Sequence, residues 1–348
     1  MERKISGYIS HREAIANRKI KFTKRDLKKV KQFDKVGMEL TAPKDLPSKS
    51  NNYPKVAPAR FNQGDLGLCF AFAGAGIVEY FLKNEVVSNP VEEELSEMFL
   101  GYYARYILND NEPPEGDDGC TVLATLQALQ RFGICKEETW QYRDENENVE
   151  PSKAARDEAT QVEVGEVFAI PQKQNEAKLT AMKQVLYAGR PLDYGSSVHQ
   201  SIMDVGTDGL EPYADPYSED DPVVGGHSRQ VVDYDDDMEI PNAPIKGAFL
   251  VMNSWGKDWG SDGTSWVSYQ VWLDEETDDM GVTSIKSVTP TPEPTPQPPI
   301  DTGDVEEALE LFEDAYKLLN MNPSHLTIRR VKPYMRKGIN LLKQFLGD

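Results

Sequence analysis

The stretch that decides the fold is NQGDLGLCFAFAGAGIVEYFL, residues 62–82, in which Cys69 opens a long apolar run. The run is hydrophobic on all faces, which is typical of a helix buried at the centre of a domain. A cysteine in the first turn of a helix faces unpaired N–H groups and the positive end of the helix dipole, and both lower the pKa of a thiol. Cys69 is therefore either a nucleophilic thiolate or a structural cysteine, because free cysteines are commonly buried.

Gln63 precedes Cys69 on the same segment, and Gly64 and Gly67 between them allow the chain to turn tightly. The Gln63 side-chain amide can then return towards the cysteine. Together with the backbone N–H of Cys69 it would hold a negatively charged oxygen, as the tetrahedral intermediate of acyl transfer requires.

Two later segments carry the side chains that such a thiol needs. In GGHSRQVVDYDDD, residues 225–237, His227 follows two glycines and opens a strand-like run. This position suits a general base, although a lone histidine is often structural. In GAFLVMNSWGKDWGSDGTSWV, residues 247–267, an apolar strand ends at Asn253, whose amide can orient a histidine ring without adding charge. Trp255 follows and can shield that hydrogen bond from water.

Together the three segments resemble the motifs of the papain family of cysteine peptidases, and the resemblance is closest to bacterial-type members. The first is similar to the family's Gln-Gly-x-Cys-Gly-Ser-Cys-Trp-Ala-Phe and the second to its Gly-His-Ala block. The third is similar to its Asn-Ser-Trp-Gly-x-x-Trp-Gly-x-x-Gly, and the order cysteine, histidine, asparagine is the family's order. The resemblance also takes in VEEELSEMFLGYYAR and DDGCTVLATLQALQRFGICKEETWQY, and it covers residues 46–287.

The resemblance implies an α+β, papain-like fold of two lobes. A helical left lobe would carry Cys69, a β-barrel-like right lobe would carry His227 and Asn253, and the active site would lie between them. Cys69 would attack a peptide carbonyl, and His227 would pair with the thiolate and then protonate the leaving amine. Gln63 and the Cys69 N–H would stabilise the oxyanion, while Asn253 would orient His227 and Trp255 would cover Asn253. The expected function is a thiol protease, a hydrolase that acts on proteins or peptides and requires no metal or cofactor.

Several residues depart from the family pattern. Leu66 replaces a cysteine that many members use in a disulfide, and Leu68 and Phe70 flank Cys69 where serine and tryptophan are usual. Arg229 stands near the base, and we expect it to point outward as a surface charge, since inside the cleft it would disfavour a protonated histidine. None of these changes removes a catalytic group, so they bear on efficiency and specificity.

Composition argues against several classes of protein. The net charge of −20 over 348 residues argues against general nucleic-acid binding. No apolar run approaches the roughly 20 residues of a membrane span, and the opening MERKISGYISHREAIANRK lacks the apolar core of a secretory signal. We therefore expect a protein of the cytoplasm or of a particle assembled there. A disulfide between Cys120 and Cys135 is not expected, because the helix predicted between them exceeds the roughly 7 Å that a disulfide spans.

The sequence predicts a basic N-terminal arm (1–45), a peptidase domain (46–287), a proline-rich linker (288–303) and a C-terminal helical hairpin (304–348). Residues 1–50 hold 14 Lys/Arg and 6 Asp/Glu, a charge of +8 that leaves −28 for the remainder. The arm lies where family members carry an inhibitory propeptide. It is therefore expected to lie across the acidic body and limit access to the cleft, or to be a permanent extension. The hairpin is expected to dock on this body, on a partner or on a second copy.

Two other functions are compatible with the sequence. One is a papain-fold binding or scaffold protein with weakened catalysis, in which the hairpin provides the partner surface. The other is an acyltransferase that passes the acyl group from the same thiolate to an acceptor other than water. The presence of all five candidate residues favours the peptidase.

Acidic segments give two weaker signals. DYDDDME, residues 233–239, matches the opening of a calcium-binding loop, but Met238 replaces the required glycine and Pro244 the final glutamate. Solvated charge is the expectation there, and no metal site is predicted. Other acidic stretches would favour basic substrates electrostatically; they are Asp117, Asp118, Glu219–Asp221 and Asp274–Asp279.

Overall fold

A computed structural model describes residues 7–10, 31–32, 46–53, 62–86, 94–117, 119–170, 174–216, 219–275 and 277–287. All of them belong to one compact unit, Met1–Thr289. The basic arm is therefore described only at 7–10 and 31–32, and of the latter only the backbone. The linker and the helical hairpin predicted after residue 287 lie outside the described residues.

Six α-helices form within the described residues, three of them before residue 133, and residues with short polar side chains begin several of them. Ser96, Thr121 and Asn175 each accept a hydrogen bond from a backbone N–H in the first turn of the helix that follows. The helices are α1 (Cys69–Phe81), α2 (Glu97–Leu108), α3 (Val122–Phe132), α4 (Lys153–Ala159), α5 (Glu176–Tyr187) and α6 (Tyr269–Asp274). A π-helical turn, Leu82–Val86, continues α1, and 3₁₀ turns span Asp144–Asn146 and Gln200–Asp204.

Helix α1 is the centre of the left lobe and packs on α2 and α3. A Cβ atom on Gly74 would lie 2.7 Å from Thr125 Cγ2 and 3.0 Å from Leu100 Cδ2. Glycine at this position therefore lets three helices approach closely. The prediction of a buried apolar helix after Cys69 is confirmed, since all but two of its residues are buried.

The right lobe is built on an antiparallel sheet. Among the residues that the structure describes, seven strands pair in the order β1-β3-β8-β4-β5-β6-β7, with only β1 and β3 parallel, and β2 pairs with β9 in a small second sheet. The strands are β1 (Lys31–Gln32), β2 (Val162–Val164), β3 (Val167–Ala169), β4 (Leu192–His199), β5 (Val223–Asp235), β6 (Ala248–Met252), β7 (Thr264–Ser268), β8 (Asp278–Val282) and β9 (Ile285–Ser287).

The two lobes meet where α1 lies against β5. A Cβ atom on Gly76 would lie 2.8 Å from the Gln230 side-chain oxygen, so the helix and the strand are in direct contact. This contact brings the start of α1 beside the middle of β5, which carries His227. Within the described residues, no helix has the length and apolarity needed to cross a membrane.

Asp233 corrects one expectation from the sequence. It is 4% exposed, and its carboxylate accepts hydrogen bonds from the Ser50 hydroxyl (2.5 Å) and from the backbone N–H groups of Asn52 (2.8 Å) and Tyr53 (2.7 Å). Solvated charge is thus the wrong expectation for this residue. Its carboxylate instead fixes the chain at residues 50–53 to the end of β5, because buried N–H donors compensate the buried charge.

The prediction of free thiols at Cys120 and Cys135 is confirmed. Helix α3 lies between Cys120 and Cys135 as predicted, and Cys69, Cys120 and Cys135 are all buried free thiols.

Candidate active site

Cys69 begins α1 and is completely buried. Its Sγ accepts a hydrogen bond from the backbone N–H of Ser228 at 3.4 Å. Ser228 directly follows His227 on β5, so the junction of the lobes places the Cys69 thiol against the β5 backbone next to His227.

His227 is held by the segment that follows β6. Its Nε2 lies 2.7 Å from Asn253 Oδ1, which also accepts the Ser254 backbone N–H at 2.8 Å. Because that oxygen accepts both bonds, Nε2 carries the proton of the neutral ring and Nδ1 is left as an acceptor. Nδ1 is buried and has no hydrogen-bond partner among the described residues. The ring of Trp255 stacks on the imidazole at 4.9 Å between centroids, which screens the hydrogen bond to Asn253 from water.

Gln63 is buried and is tied to the same segment. The Ser254 hydroxyl donates to Gln63 Oε1 at 2.5 Å, and the Gln63 backbone N–H donates to the Ser254 carbonyl at 2.8 Å. Its Nε2 donates one hydrogen to the Leu66 carbonyl at 2.8 Å, which leaves the second amide hydrogen for another acceptor. Sequence reasoning missed Ser254, although its place between Asn253 and Trp255 was a usable signal.

Residues 7–10 of the basic arm, hereafter the arm segment, lie directly over this site. A Cβ atom on Gly7 would lie only 2.6 Å from Cys69 Sγ. The Cys120 N–H donates to the Gly7 carbonyl at 3.0 Å, the Ile9 N–H donates to the Cys120 carbonyl at 2.9 Å, and the Tyr8 N–H donates to the Gly226 carbonyl at 3.4 Å. The arm segment is therefore bound through its backbone to both lobes and seals the thiol from solvent.

This seal reverses the expected acidity of the thiol. Burial raises the pKa of Cys69 to about 12, although the backbone N–H of Ser228 acts to lower it. Burial, followed by the charge of Arg229, lowers the pKa of His227 to about 3, against the Asn253 hydrogen bond that raises it. The expectation of a lowered thiol pKa is wrong for the covered site, because loss of hydration outweighs the helix N-terminus. Both shifts favour a neutral thiol and a neutral imidazole in the covered site.

Arg229 is not the surface charge expected from the sequence. It is 2% exposed, its guanidinium lies 2.6 Å from the Glu211 carboxylate, and it faces the Tyr194 ring at 5.4 Å. The expectation was wrong because Glu211, which is distant along the chain, supplies the opposite charge that permits burial.

The described residues contain no group of three or more histidines, cysteines or acidic residues arranged to hold a metal ion. In the acidic segment after β5, Asp236 binds the Lys183 ammonium at 2.9 Å.

One known protein family matches most of this chain. A model of the papain family cysteine proteases matches residues 43–283. The chain belongs to the papain family. The predicted family and its two-lobed α+β fold are thereby confirmed.

Among papain-family relatives, the chain is 25% identical over 230 residues to an uncharacterised peptidase C1-like protein of Acanthamoeba polyphaga mimivirus, which covers 63% of this chain and 67% of the relative. It is 25% identical over 214 residues to a cathepsin B-like protein of Giardia intestinalis. The aligned region covers 61% of this chain and 64% of the relative. Xylellain, a cysteine protease from Xylella fastidiosa, superposes with a TM-score of 0.62 at 22% identity, over 82% of this chain and 98% of that chain. At that identity the likeness shows a shared papain fold.

Proposed function

We propose that this protein is a cysteine endopeptidase that hydrolyses peptide bonds through Cys69, His227 and Asn253. The observation that carries the proposal is the meeting of the Cys69 thiol with the β5 backbone beside His227, whose ring Asn253 orients. A nucleophile, a base and a group that orients the base are the arrangement that activates a thiol.

In the proposed reaction the arm segment first leaves the site. The Cys69 proton passes to His227 Nδ1, and the thiolate attacks the substrate carbonyl carbon. The Cys69 N–H and the free hydrogen of Gln63 Nε2 stabilise the oxyanion of the tetrahedral intermediate. His227 then protonates the leaving amine and the C–N bond breaks. Water, deprotonated by the same histidine, attacks the thioester, releasing the acid and restoring the thiol.

A second candidate is a papain-fold binding protein whose site stays closed. The covered thiol with its raised pKa favours this alternative, because such a thiol is not nucleophilic at neutral pH. The two candidates differ in whether the arm segment can leave.

The test uses the full chain and the variant Gly7→Ala, whose new Cβ would lie 2.6 Å from Cys69 Sγ and displace the arm segment. Each protein is treated with a thiol-directed epoxide, the adduct is mapped by mass spectrometry, and cleavage of a peptide library is followed. We expect an adduct on Cys69 and cleavage by the Gly7→Ala protein.

Cys69→Ala in the same background should abolish both signals. Cys135→Ala, which removes another buried free thiol, should preserve them. No adduct on Cys69 and no cleavage by the Gly7→Ala protein would rule out the peptidase.

A further inference from the structure

Beside the thiol, the side chain of Tyr8 fills a pocket in the sheet. Tyr8 is 7% exposed, and its ring lies over Gly195 of β4 so closely that a Cβ atom there would be 2.3 Å from Tyr8 Cε2. Glycine inside a strand weakens the sheet and often marks a place where another group approaches closely. Gly195 therefore makes room for the large side chain of Tyr8, which directly follows Gly7, the residue that lies against Cys69.

Carboxylates close this pocket. The Tyr8 hydroxyl donates to Asp278 Oδ2 at 2.6 Å. Asp278 lies directly opposite Gly195 in the β4–β8 pairing. Asp193 is two residues from Gly195 on β4 and therefore lies on the same face of the sheet. Both carboxylates raise the pKa of the Tyr8 hydroxyl, after the larger effect of burial.

Asp193 and Asp279 differ in their charged partners among the described residues. Asp279, the neighbour of Asp278, pairs with the Lys178 ammonium at 2.8 Å. Asp193 is completely buried; one of its oxygens accepts the Ser228 hydroxyl at 2.6 Å. Its other oxygen has no hydrogen-bond partner among the described residues. Burial raises the pKa of Asp193 to about 8, as expected for a carboxyl group without an opposite charge.

We propose that the pocket now filled by Tyr8 selects a basic side chain, arginine before lysine, in the substrate. The inference rests on the proposed peptidase function, since it names what that site accepts. A side chain that enters past Gly195 meets Asp278 and, on the same face, Asp193. A guanidinium presents several donors in one plane and can bind two carboxylate groups. Tyr8 gives Asp278 a neutral hydrogen bond and brings no positive charge to either carboxylate.

The first test does not depend on catalysis. Tyr8 is replaced in the full chain by arginine, leucine or glutamate, and the rate at which iodoacetamide modifies Cys69 is measured by mass spectrometry. We expect Tyr8→Arg to protect Cys69 about tenfold better than Tyr8→Leu, as hydrogen bonds between charged groups allow, and Tyr8→Glu to protect it least. Asp278→Asn should remove the difference between arginine and leucine. Glu163→Gln, which removes the same charge from an exposed position on β2, should preserve it.

The second test measures cleavage by the Gly7→Ala protein. The peptides are identical except for arginine, tyrosine, leucine or glutamate at each position on either side of the cleaved bond. We expect kcat/KM to be highest for arginine at one position, about tenfold above leucine. In Asp278→Asn the ratio should approach one, and Asp193→Asn, a second and independent change, should also reduce it.

Equal protection by Tyr8→Arg and Tyr8→Leu, or a preference for leucine or tyrosine that Asp278→Asn leaves unchanged, would overturn the pocket inference. If protection depends on charge as expected but no peptide is cleaved, the pocket inference stands and the peptidase function fails. If peptides are cleaved without a preference for arginine, the peptidase function stands and the pocket inference fails.

Discussion

Ser254 joins the two sides of the candidate site through three of its polar groups. Its hydroxyl holds the Gln63 side chain, its carbonyl accepts the Gln63 N–H, and its own N–H fixes the Asn253 oxygen that orients His227. The donor proposed for the oxyanion and the proposed base are thus positioned by one residue. Displacement of this segment would disturb both groups together.

At the residue scale we predict that Gln63→Ala lowers kcat by about 10²–10³ with little change in KM, because in the proposed mechanism the amide donates to the oxyanion and not to the ground-state carbonyl. The measurement is steady-state cleavage of one peptide in the Gly7→Ala background. The control Gln130→Ala removes an exposed glutamine that donates to the Gly165 carbonyl and should leave kcat unchanged. A loss confined to KM would contradict the assigned role.

At the scale of elements, two opposing influences set the state of the thiol. The start of α1 and the Ser228 N–H favour the thiolate, whereas the arm segment removes water and favours the neutral thiol. In the covered site the effect of burial is the larger one, so the pKa of the Cys69 thiol is raised. Removal of the arm segment would restore hydration and shift the balance towards the charged pair.

We predict that Gly7→Ala increases the rate of iodoacetamide modification of Cys69 on the order of tenfold at neutral pH, because overpacking against Sγ destabilises the covered state. The rise of this rate with pH should also shift to lower pH, since the thiol pKa falls once water reaches the sulfur. The control Gly206→Ala adds a Cβ whose nearest neighbour, Asp208 Oδ1, is 3.4 Å away. Identical pH profiles for Gly7→Ala and the parent chain would contradict the covering role of the arm segment.

The sequence predicted elements better than it predicted contacts. The apolar run after Cys69 and the capped stretch Val122–Phe132 have local signals, so α1 and α3 were predictable. The burial of Arg229 depends on Glu211, and the position of Tyr8 depends on Asp278, which is 270 residues away. Such partners are set by strand order and register, which composition and periodicity do not encode.

At the scale of the whole molecule, charge is divided unevenly. Residues 1–50 carry +8 and the remainder of the chain carries −28. Salt screens the attraction between exposed opposite charges that lie more than about a Debye length apart. The arm segment itself is uncharged, so the sequence predicts that the rest of the basic arm, residues 1–45, helps to hold it on the cleft electrostatically.

We predict that the rate of Cys69 modification in the full chain rises several-fold between about 0.1 M and about 1 M sodium chloride, as the Debye length falls from about 10 Å to about 3 Å. The Gly7→Ala protein, in which the segment is already displaced, should respond much less. A rate in the full chain that is independent of salt would show that backbone and side-chain contacts alone hold the segment.

The Asp233 carboxylate, which fixes the chain at residues 50–53 to β5, gives the arm segment the properties of a tethered ligand. While the chain is continuous, the local concentration of residues 7–10 at the cleft is set by the length of the connecting stretch and not by the amount of protein in solution. A single cut between Ser10 and Lys31 would leave the chain after the cut held by β1 on β3 and by residues 50–53 on β5. The released piece could then dissociate on dilution, so occupancy of the cleft would become dependent on concentration.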